Sequence, residues 1–287
     1  MQDRVIPFSK WDPSGNVTLF FPDPCGVPRA ALAAWALEAR HAGAEQAGFC
    51  SRKGRTMAMA GNEFCVNATR SFGAFLAWRD ELEGGAAGQE SRRYTVRVSG
   101  WERPVDLEVR GAMPAWQVTA ILSGVHPALE TVAPGLCRVR LPGIVHVLAD
   151  TRRHPLPHPL LPTAADMLAG LGLLDEEAAG IVWWGVDNEG RPGITPVVRV
   201  RDIGSLCAEQ SCGSGSMALA LLLARETGLK EHTVAQPGGD TLTVAIEGDA
   251  AKGISVLVSG EVRLVCEGSL HYPVAEEGDS LSRPMSR

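Results

Sequence analysis

The pattern of hydrophobic and polar positions along the chain predicts three helices, at residues 29–42, 67–83 and 214–227. The first two carry apolar residues at near-helical spacing among strong helix formers. The third is almost wholly apolar, which predicts a helix that is buried on all sides. Each segment is followed directly by a glycine, and glycine after the last periodic residue is a helix stop signal.

Segments rich in β-branched residues follow the second and third helices, and their alternation predicts strands. These strands are expected at residues 94–100, 107–111, 241–248 and 254–260. Gly111 lies 46 residues after Cys65, and Gly260 lies 48 residues after Cys212. The halves therefore resemble two copies of one α+β unit. We predict two pseudo-symmetric lobes, residues 1–114 and 115–287, each a β-sheet wrapped around a central helix, with a last strand able to return to the first lobe.

Composition narrows the class of protein. A chain of 287 residues with 45% hydrophobic and 21% charged residues is typical of a globular protein of two domains. A net charge of −6 gives no basic footprint for nucleic acid. We find neither a signal-like N-terminus nor about 18 consecutive apolar residues, so a cytoplasmic protein without a membrane partner is expected. Seven scattered cysteines without C-x-x-C pairs predict reduced thiols and no metal site.

Two of the cysteines stand out because each opens a short polar turn that runs into a helix. Cys65 and Cys212 are 147 residues apart and occupy equivalent positions of the two halves. Pseudo-twofold symmetry would bring them to opposite walls of a cleft between the lobes. A helix N-terminus favours negative charge, which lowers a thiol pKa and can also hold a carboxylate. Two facing thiols could remove a proton from one face of an α-carbon and return one to the other.

Other interpretations of the cysteines remain open. A single cysteine is most often a small buried hydrophobic residue, which is the expectation for the remaining thiols. The C-x4-C spacing of Cys207 and Cys212 would also suit a redox pair. A metal site built from cysteines and His146 is disfavoured, because no two of these ligands have helical or knuckle spacing.

Several short motifs resemble those of a known family. They are Phe8-Ser-Lys with Gly15-Asn16, Glu45-Gln46, Cys65-Val66-Asn67, His146, Cys212-Gly213-Ser214-Gly215 and Gln236-Pro-Gly-Gly. Together they resemble, over the full length of the chain, the diaminopimelate epimerase-like family of two-cysteine racemases and epimerases, which work without pyridoxal phosphate. The resemblance implies the diaminopimelate epimerase-like fold, no cofactor, and often a homodimer.

The resemblance also implies roles for residues of this chain. Cys65 and Cys212 would form the acid/base pair. The residues expected at the substrate are Asn16, Gln46, Val66, Asn67, His146, Gly213 and Ser214. Val66 departs from the glycine that relatives usually carry. Because its β-branched side chain bars positive φ and adds bulk, we expect a reshaped turn or a smaller substrate.

Departures from the epimerase pattern bear on the substrate. The family arginine for a distal carboxylate is missing before Cys212, while Ile144 and Trp183 replace two asparagines. Losing these polar contacts would leave a distal carboxylate unpaired, so diaminopimelate is disfavoured.

Within the family, the fragments around both cysteines most resemble those of the histidine racemases of opine-metallophore synthesis. The expected substrate is then a free amino acid with a basic side chain, histidine first and 2,4-diaminobutyrate second. Glu45, Glu63 and Glu209 are candidates to pair with that side chain, and Trp183 or Trp184 to stack on it. The alternatives are a diaminopimelate epimerase or a non-catalytic amino-acid-binding relative.

Overall fold

The structure, a computed structural model, describes residues 2–84, 91–249 and 253–274. The polar C-terminal segment from residue 276, which its composition predicts to be frayed, lies outside the described residues. The helices are α1 (Arg29–Ala36), α2 (Val66–Leu82), α3 (Leu160–Gly170) and α4 (Gly213–Thr227). The strands are β1 (Gln2–Asp12), β2 (Thr18–Pro22), β3 (Gln46–Ser51), β4 (Thr56–Met59), β5 (Arg92–Val98), β6 (Val105–Ala112), β7 (Ala115–Val125), β8 (Ala128–Ala133), β9 (Leu136–Leu141), β10 (Ile144–Asp150), β11 (Ala178–Val186), β12 (Pro192–Val200), β13 (Ser205–Ala208), β14 (Glu231–Ala235), β15 (Thr241–Asp249) and β16 (Gly253–Val274).

All sixteen strands belong to one hydrogen-bonded system. Strands β1 to β7 follow one another in order, and β16 pairs with both β7 and β1, so this part closes into a barrel. Beyond β16 the order continues through β15, β14, β12, β11, β10, β9 and β8, while β13 pairs with β12. The 22-residue β16 therefore joins the two halves of the chain.

The two halves repeat the same order of strand pairing. From β2 to β7 the successive pairings are parallel, antiparallel, parallel, antiparallel and antiparallel. The same series runs from β10 through β11, β12, β14 and β15 to β16. In each half one helix follows the first of these strands, and a longer helix carries the chain from the third position to the fourth.

The longer helices, α2 and α4, lie inside their strands. Helix α2 contacts β5, β6, β7 and β16, and α4 contacts strands on both sides of it from β9 to β16. One continuous hydrophobic core surrounds both helices. Two smaller cores lie under α1 and α3 on the outer faces of the sheet. This arrangement places the N-termini of α2 and α4 against each other.

The predicted mixture of helices and strands is confirmed, and α2 and α4 each begin one residue before the predicted start. The predicted helix over residues 29–42 was too long, because α1 ends at Ala36. There the chain turns back, and the His41 ring stacks on Trp35 at 3.8 Å between centroids. The division after residue 114 stays a prediction. Strand β7, which begins at Ala115, pairs with β6 on one edge and β16 on the other.

No helix in the described part of the chain combines the length and apolar character that a bilayer crossing requires.

Candidate active site

Cys65 and Cys212 are the N-cap residues of α2 and α4. Their backbone angles nearly coincide, with φ −129° and ψ 113° at Cys65 and φ −134° and ψ 103° at Cys212. Each Sγ accepts a hydrogen bond from the third residue of its own helix, Ala68 N at 3.4 Å and Gly215 N at 3.3 Å. The first N–H groups of a helix have no partner within it, so both turns present free donors beside a thiol.

The two turns are in direct contact. A Cβ built on Gly213 would lie 2.7 Å from Val66 Cβ, so the valine occupies the space that a side chain at position 213 would need. Asn67 Nδ2 donates to Ser211 O at 3.2 Å and to Ser211 Oγ at 3.1 Å. The N-cap before Val66 has nearly the same backbone angles as the N-cap before Gly213, and the expected effect of Val66 on the turn or the substrate stays a prediction. The bulk of Val66 packs on the facing turn.

A cavity, hereafter the cysteine cavity, lies where the two turns meet. Its polar walls come from the two turns, from three loops and from the first residue of β3. Its apolar walls come from strands of the second half and from the residue before Cys65. The lining residues are Asn16, Gln46, Glu63, Phe64, Cys65, Val66, Asn67, Ile144, Ala178, Val198, Val200, Glu209, Cys212, Gly213 and Ser214.

The two thiols have different polar partners. Cys65 Sγ donates to Gln46 Oε1 at 3.2 Å, and Gln46 Nε2 donates to Thr18 Oγ1 at 2.7 Å. Cys212 Sγ lies 3.5 Å from Ser214 Oγ, which in turn lies 2.8 Å from His146 Nε2. Cys212 is buried, at 3% exposure, whereas Cys65 keeps partial exposure. The pair is therefore symmetric in its backbone and asymmetric in its surroundings.

The surroundings of both thiols favour the protonated form. Burial and the nearby Glu209 carboxylate raise the pKa of Cys65 to about 12. The same two causes raise the pKa of Cys212 well above its usual value. The sequence led us to expect a lowered pKa at a helix N-terminus. Desolvation opposes that effect here because a thiolate loses more hydration than the few N–H donors restore.

Carboxylates form a second feature of the cavity. Burial and the neighbouring charges of Glu45 and Glu63 raise the pKa of Glu209 to about 7, although its contact with Cys212 acts in the opposite direction. Burial likewise raises the pKa of Glu63, and its Oε2 is buried without a hydrogen-bond partner. Within the described residues, neither carboxylate has a lysine, arginine or histidine within ion-pair distance. Either carboxylate could therefore pair with a basic group brought by a ligand.

Loops distant in sequence fix the turn before Cys212. Gln236 Oε1 accepts a hydrogen bond from Cys212 N at 2.9 Å. Gln210 O accepts from Gly238 N at 2.8 Å, and a Cβ on Gly15 would lie 3.2 Å from the same oxygen. The first residues and the Gln-Pro-Gly-Gly motif therefore meet at one point. The motif is recognisable in the sequence, but the sequence assigns no role to Gln236. Its position inside the motif was the one indication that Gln236 belongs to the site.

The structure brings most of the predicted site residues together. Both cysteines and Asn16, Gln46, Val66, Asn67, Glu209, Gly213 and Ser214 line the cysteine cavity. His146 lies behind Ser214, fully buried, and burial lowers its pKa to about 4. Glu45 is exposed and lies outside the lining. Trp183 and Trp184 also lie outside it, and Trp183 packs in the core under α3.

The structure also shows where the residues of the considered redox pair and metal site lie. Cys207 is exposed on β13, whereas Cys212 is buried, and both are free thiols. Among the described residues, no three His, Cys, Asp or Glu side chains are grouped as metal ligands would be.

Comparisons with known proteins point to one family. The family model described as the histidine racemase CntK N-terminal domain matches residues 5–271. A histidine racemase from Fusobacterium nucleatum is 29% identical over 279 residues, covering 93% of this chain and 98% of that protein. A histidine racemase from Staphylococcus aureus is 28% identical over 298 residues, with coverages of 94% and 99%.

One solved structure has a similar fold. A hydroxyproline epimerase from Agrobacterium vitis, solved with bound trans-4-hydroxy-L-proline, superposes with a TM-score of 0.66 at 12% identity, covering 93% of each chain. The family match, by contrast, spans almost the whole sequence and includes both cysteine turns. The chain belongs to the histidine racemase family.

Proposed function

We propose that this amino-acid racemase inverts the α-carbon of free histidine, with Cys65 and Cys212 as the two acid/base residues. Its membership of the family and the names of its relatives support histidine as the substrate. The proposal rests on one observation: the two cysteines at the helix N-caps and the carboxylates of Glu63 and Glu209 line the same cavity. We further propose that the fold is diaminopimelate epimerase-like, with each central helix supplying one thiol.

The free N–H groups of the two helix N-termini would hold the substrate carboxylate. The first turns of α2 and α4 meet at Val66 and Gly213, so donors of both turns converge on one point. Removing the α-proton pushes negative charge into that carboxylate. Donors already aimed at it stabilise the charge without reorganisation, which is how preset dipoles lower a barrier.

The proton transfers follow from the positions of the thiols. One cysteine, as the thiolate, takes the α-proton and becomes a thiol, and the electron pair of the C–H bond passes into the carboxylate system. The other cysteine gives its S–H proton to the opposite face of Cα and is left as the thiolate. The product is the other enantiomer, and exchanging the roles of Cys65 and Cys212 runs the reaction backwards.

Glu63 and Glu209 would recognise the side chain of the substrate. Both line the cavity, and both have pKa values raised mainly by burial. An imidazolium or ammonium group beside them would stabilise their ionised forms. It would also offset the negative charge of Glu209, which raises the pKa of both thiols. A basic substrate therefore makes the thiolate easier to form.

The apolar part of the lining disfavours a distal carboxylate. Ile144, Val198 and Val200 offer no hydrogen-bond donor to it, and Glu63 and Glu209 would repel it. We therefore rank 2,4-diaminobutyrate second to histidine, and diaminopimelate below both. The homodimer that the family resemblance implies stays a prediction.

The proposal is tested by incubating the protein with L-histidine in D2O without added pyridoxal phosphate. We expect D-histidine by chiral chromatography, and loss of the α-proton signal by NMR. Cys65→Ser and Cys212→Ser should each lower the rate at least about 100-fold, because serine is a poor acid and base at neutral pH. Cys207→Ser, an exposed thiol near the site, is the matched control and should retain activity.

Full activity in both single variants would overturn the assignment of the cysteines. Parallel assays with 2,4-diaminobutyrate and diaminopimelate test the choice of substrate, and faster turnover of either would overturn histidine. Binding of histidine without deuterium incorporation would support the non-catalytic alternative instead.

A further inference from the structure

Gln236 is a buried glutamine that directly follows β14 and begins the Gln-Pro-Gly-Gly motif. Its Oε1 accepts a hydrogen bond from Cys212 N at 2.9 Å. Its Nε2 donates to Ser216 Oγ at 2.9 Å and to Val234 O at 3.0 Å. These partners fix the orientation of the amide, because the reversed amide would place its NH2 group against the Cys212 N–H and its oxygen against Val234 O.

The Gln236 amide closes a ring of hydrogen bonds around Cys212. Ser216, which receives a hydrogen bond from Gln236, donates its own hydroxyl to Cys212 O at 2.8 Å. The backbone N–H of Ser216 donates to the same oxygen at 2.9 Å. The N–H and C=O groups of Cys212 are therefore both held, and they belong to the two peptide planes that flank its Cα. Because these planes determine φ and ψ, the ring maintains the N-cap conformation from which Sγ reaches the cysteine cavity.

The peptide between Ser211 and Cys212 is held from both sides. Its N–H donates to Gln236 Oε1, and its C=O accepts from Asn67 Nδ2 at 3.2 Å. Asn67 lies on α2, two residues after Cys65. A buried N–H without an acceptor is strongly unfavourable, so loss of the Gln236 amide would force this peptide to rotate or to admit water.

The first half has a different side chain at the corresponding place. Strand β5 corresponds to β14 in the repeated pairing series, and Ser99 directly follows β5. The Ser99 hydroxyl donates to Glu63 O at 2.9 Å. Glu63 lies two residues before Cys65, so Ser99 holds the turn that leads to the cysteine. Gln236, by contrast, contacts the main chain of Cys212 itself.

We propose that Gln236 is a positioning residue, whose amide holds the main chain of Cys212 so that the thiol meets Cα of the substrate in the geometry of proton transfer. This inference rests on the proposed function, because it takes Cys212 as one of the acid/base pair. A displacement of about 1 Å in a reacting group can cost about 100-fold in rate. Because the described partners of the amide all belong to the second half of the chain, its loss should act on one thiol of the pair.

The test compares Gln236→Met, a side chain of similar length without polar atoms that replace the amide, with the parent. Racemisation of L-histidine should fall at least about tenfold, because the Cys212 thiol is displaced. Alkylation by iodoacetamide at pH 8, followed by peptide mass spectrometry at low conversion, measures each cysteine separately. Only the thiolate reacts, and burial opposes its formation. A loosened turn admits water, so Cys212 should react at least about threefold faster, while Cys65 changes less than about twofold in the same sample.

Two further variants at the same position separate the hydrogen bond from the shape of the side chain. Gln236→Glu keeps an acceptor for the Cys212 N–H, and should racemise L-histidine at least about threefold faster than Gln236→Met. Gln236→Asn is one methylene shorter, so its amide no longer reaches Cys212, and it should behave as Gln236→Met does. It replaces Gln236→Met if circular dichroism shows that the methionine variant has lost its fold.

Two variants elsewhere in the chain serve as controls. Ser99→Ala loosens the turn before Cys65, and should accelerate the alkylation of Cys65 rather than that of Cys212. Gln117→Met, on an exposed position of β7, controls for the substitution itself and should match the parent. If Ser99→Ala accelerated Cys212 to the same extent, the alkylation of Cys212 would reflect a general loosening, and the inference would be wrong.

An unchanged or slower alkylation of Cys212 in Gln236→Met, or an equal acceleration of both cysteines, would overturn the inference. Equal racemisation rates in the Glu and Met variants would do the same. Alkylation needs no turnover, so its outcome is independent of the racemisation assay. A parent protein that fails to racemise histidine while its Gln236 variants pass the alkylation test would refute the proposed function alone.

Discussion

At the scale of single residues, the site holds charged groups in an environment that opposes their charge. Glu209 is the clearest case, because its pKa of about 7 lies well above the ordinary value of 4.5. The folded chain therefore binds this proton more tightly than the unfolded chain does. By linkage, the free energy of unfolding falls as the pH rises from about 4.5 to about 7, and the loss is complete above that range.

Glu209→Gln should remove this loss of stability, because an amide of similar size carries no charge. We expect the free energy of unfolding to rise by about 1–3 kcal/mol at pH 8, and by less at pH 5, in urea titrations followed by tryptophan fluorescence. Glu231→Gln, on an exposed position of β14, is the control and should change little at either pH. A gain of equal size at both pH values would contradict this explanation.

The sequence revealed some site residues and concealed others for physical reasons. Cys65 and Cys212 were detectable because each combines a local N-cap signal with a repeat. Gln236 was given no role because its partner, the backbone N–H of Cys212, lies 24 residues away in the chain. Long-range contacts of this kind leave no local pattern.

At the scale of elements, helices were predicted accurately where the local sequence pattern was helical up to the end of the helix. Helices α2 and α4 were predicted to within one residue, because their helical apolar spacing continues almost to the glycines at 84 and 228, whereas in the first predicted helix it stops at Leu37, well before Gly43. Helix α3 was missed since four prolines, at 155, 157, 159 and 162, surround its start. Pro162 is nevertheless tolerated as its third residue, because the first turn needs no intrahelical N–H donor.

Strand β16 extended far beyond the predicted residues 254–260. Its second part, from Glu261 onward, is mostly exposed and alternates little, so hydrophobic periodicity gives no strand signal there. Pairing with β1, more than 250 residues away, holds it in place. Such a pairing is a tertiary property, which a single sequence does not display.

The glycine that ends α4 allows a matched test of one local signal. Gly228 adopts φ 78° and donates its N–H to Ala224 O at 2.9 Å. Gly170, the last residue of α3, lacks a positive φ. A Cβ at either position would meet no atom within 4 Å, so the two sites differ mainly in backbone conformation.

Gly228→Ala should therefore lower the free energy of unfolding by about 1 kcal/mol, because alanine is disfavoured in the left-handed region. Gly170→Ala should leave it unchanged or raise it by about 0.5 kcal/mol through a less flexible unfolded chain. Urea unfolding of both variants against the parent measures the difference. If the two substitutions had equal effects, the positive φ would not be the cause.

At the scale of the whole molecule, the two halves repeat one pairing scheme yet share their core and one strand. A hydrophobic core runs without interruption around α2 and α4. Strand β16 pairs with β15 of the second half, and with β7 and β1 of the first. The cysteine cavity lies at this junction, so separating the halves would also separate the two thiols.

Shared packing of this kind predicts that the halves unfold together despite their internal repeat. Native-state hydrogen exchange should give the most protected amides of α2 and α4 the same free energy of opening, within about 1 kcal/mol. Both values should fall equally in Leu219→Ala, which opens a cavity in the shared core beside α4. If α2 kept its protection in this variant while α4 lost it, the halves would be independent units. The cysteine pair would then depend on docking of two lobes, and the rate of racemisation would decline with urea before α2 began to unfold.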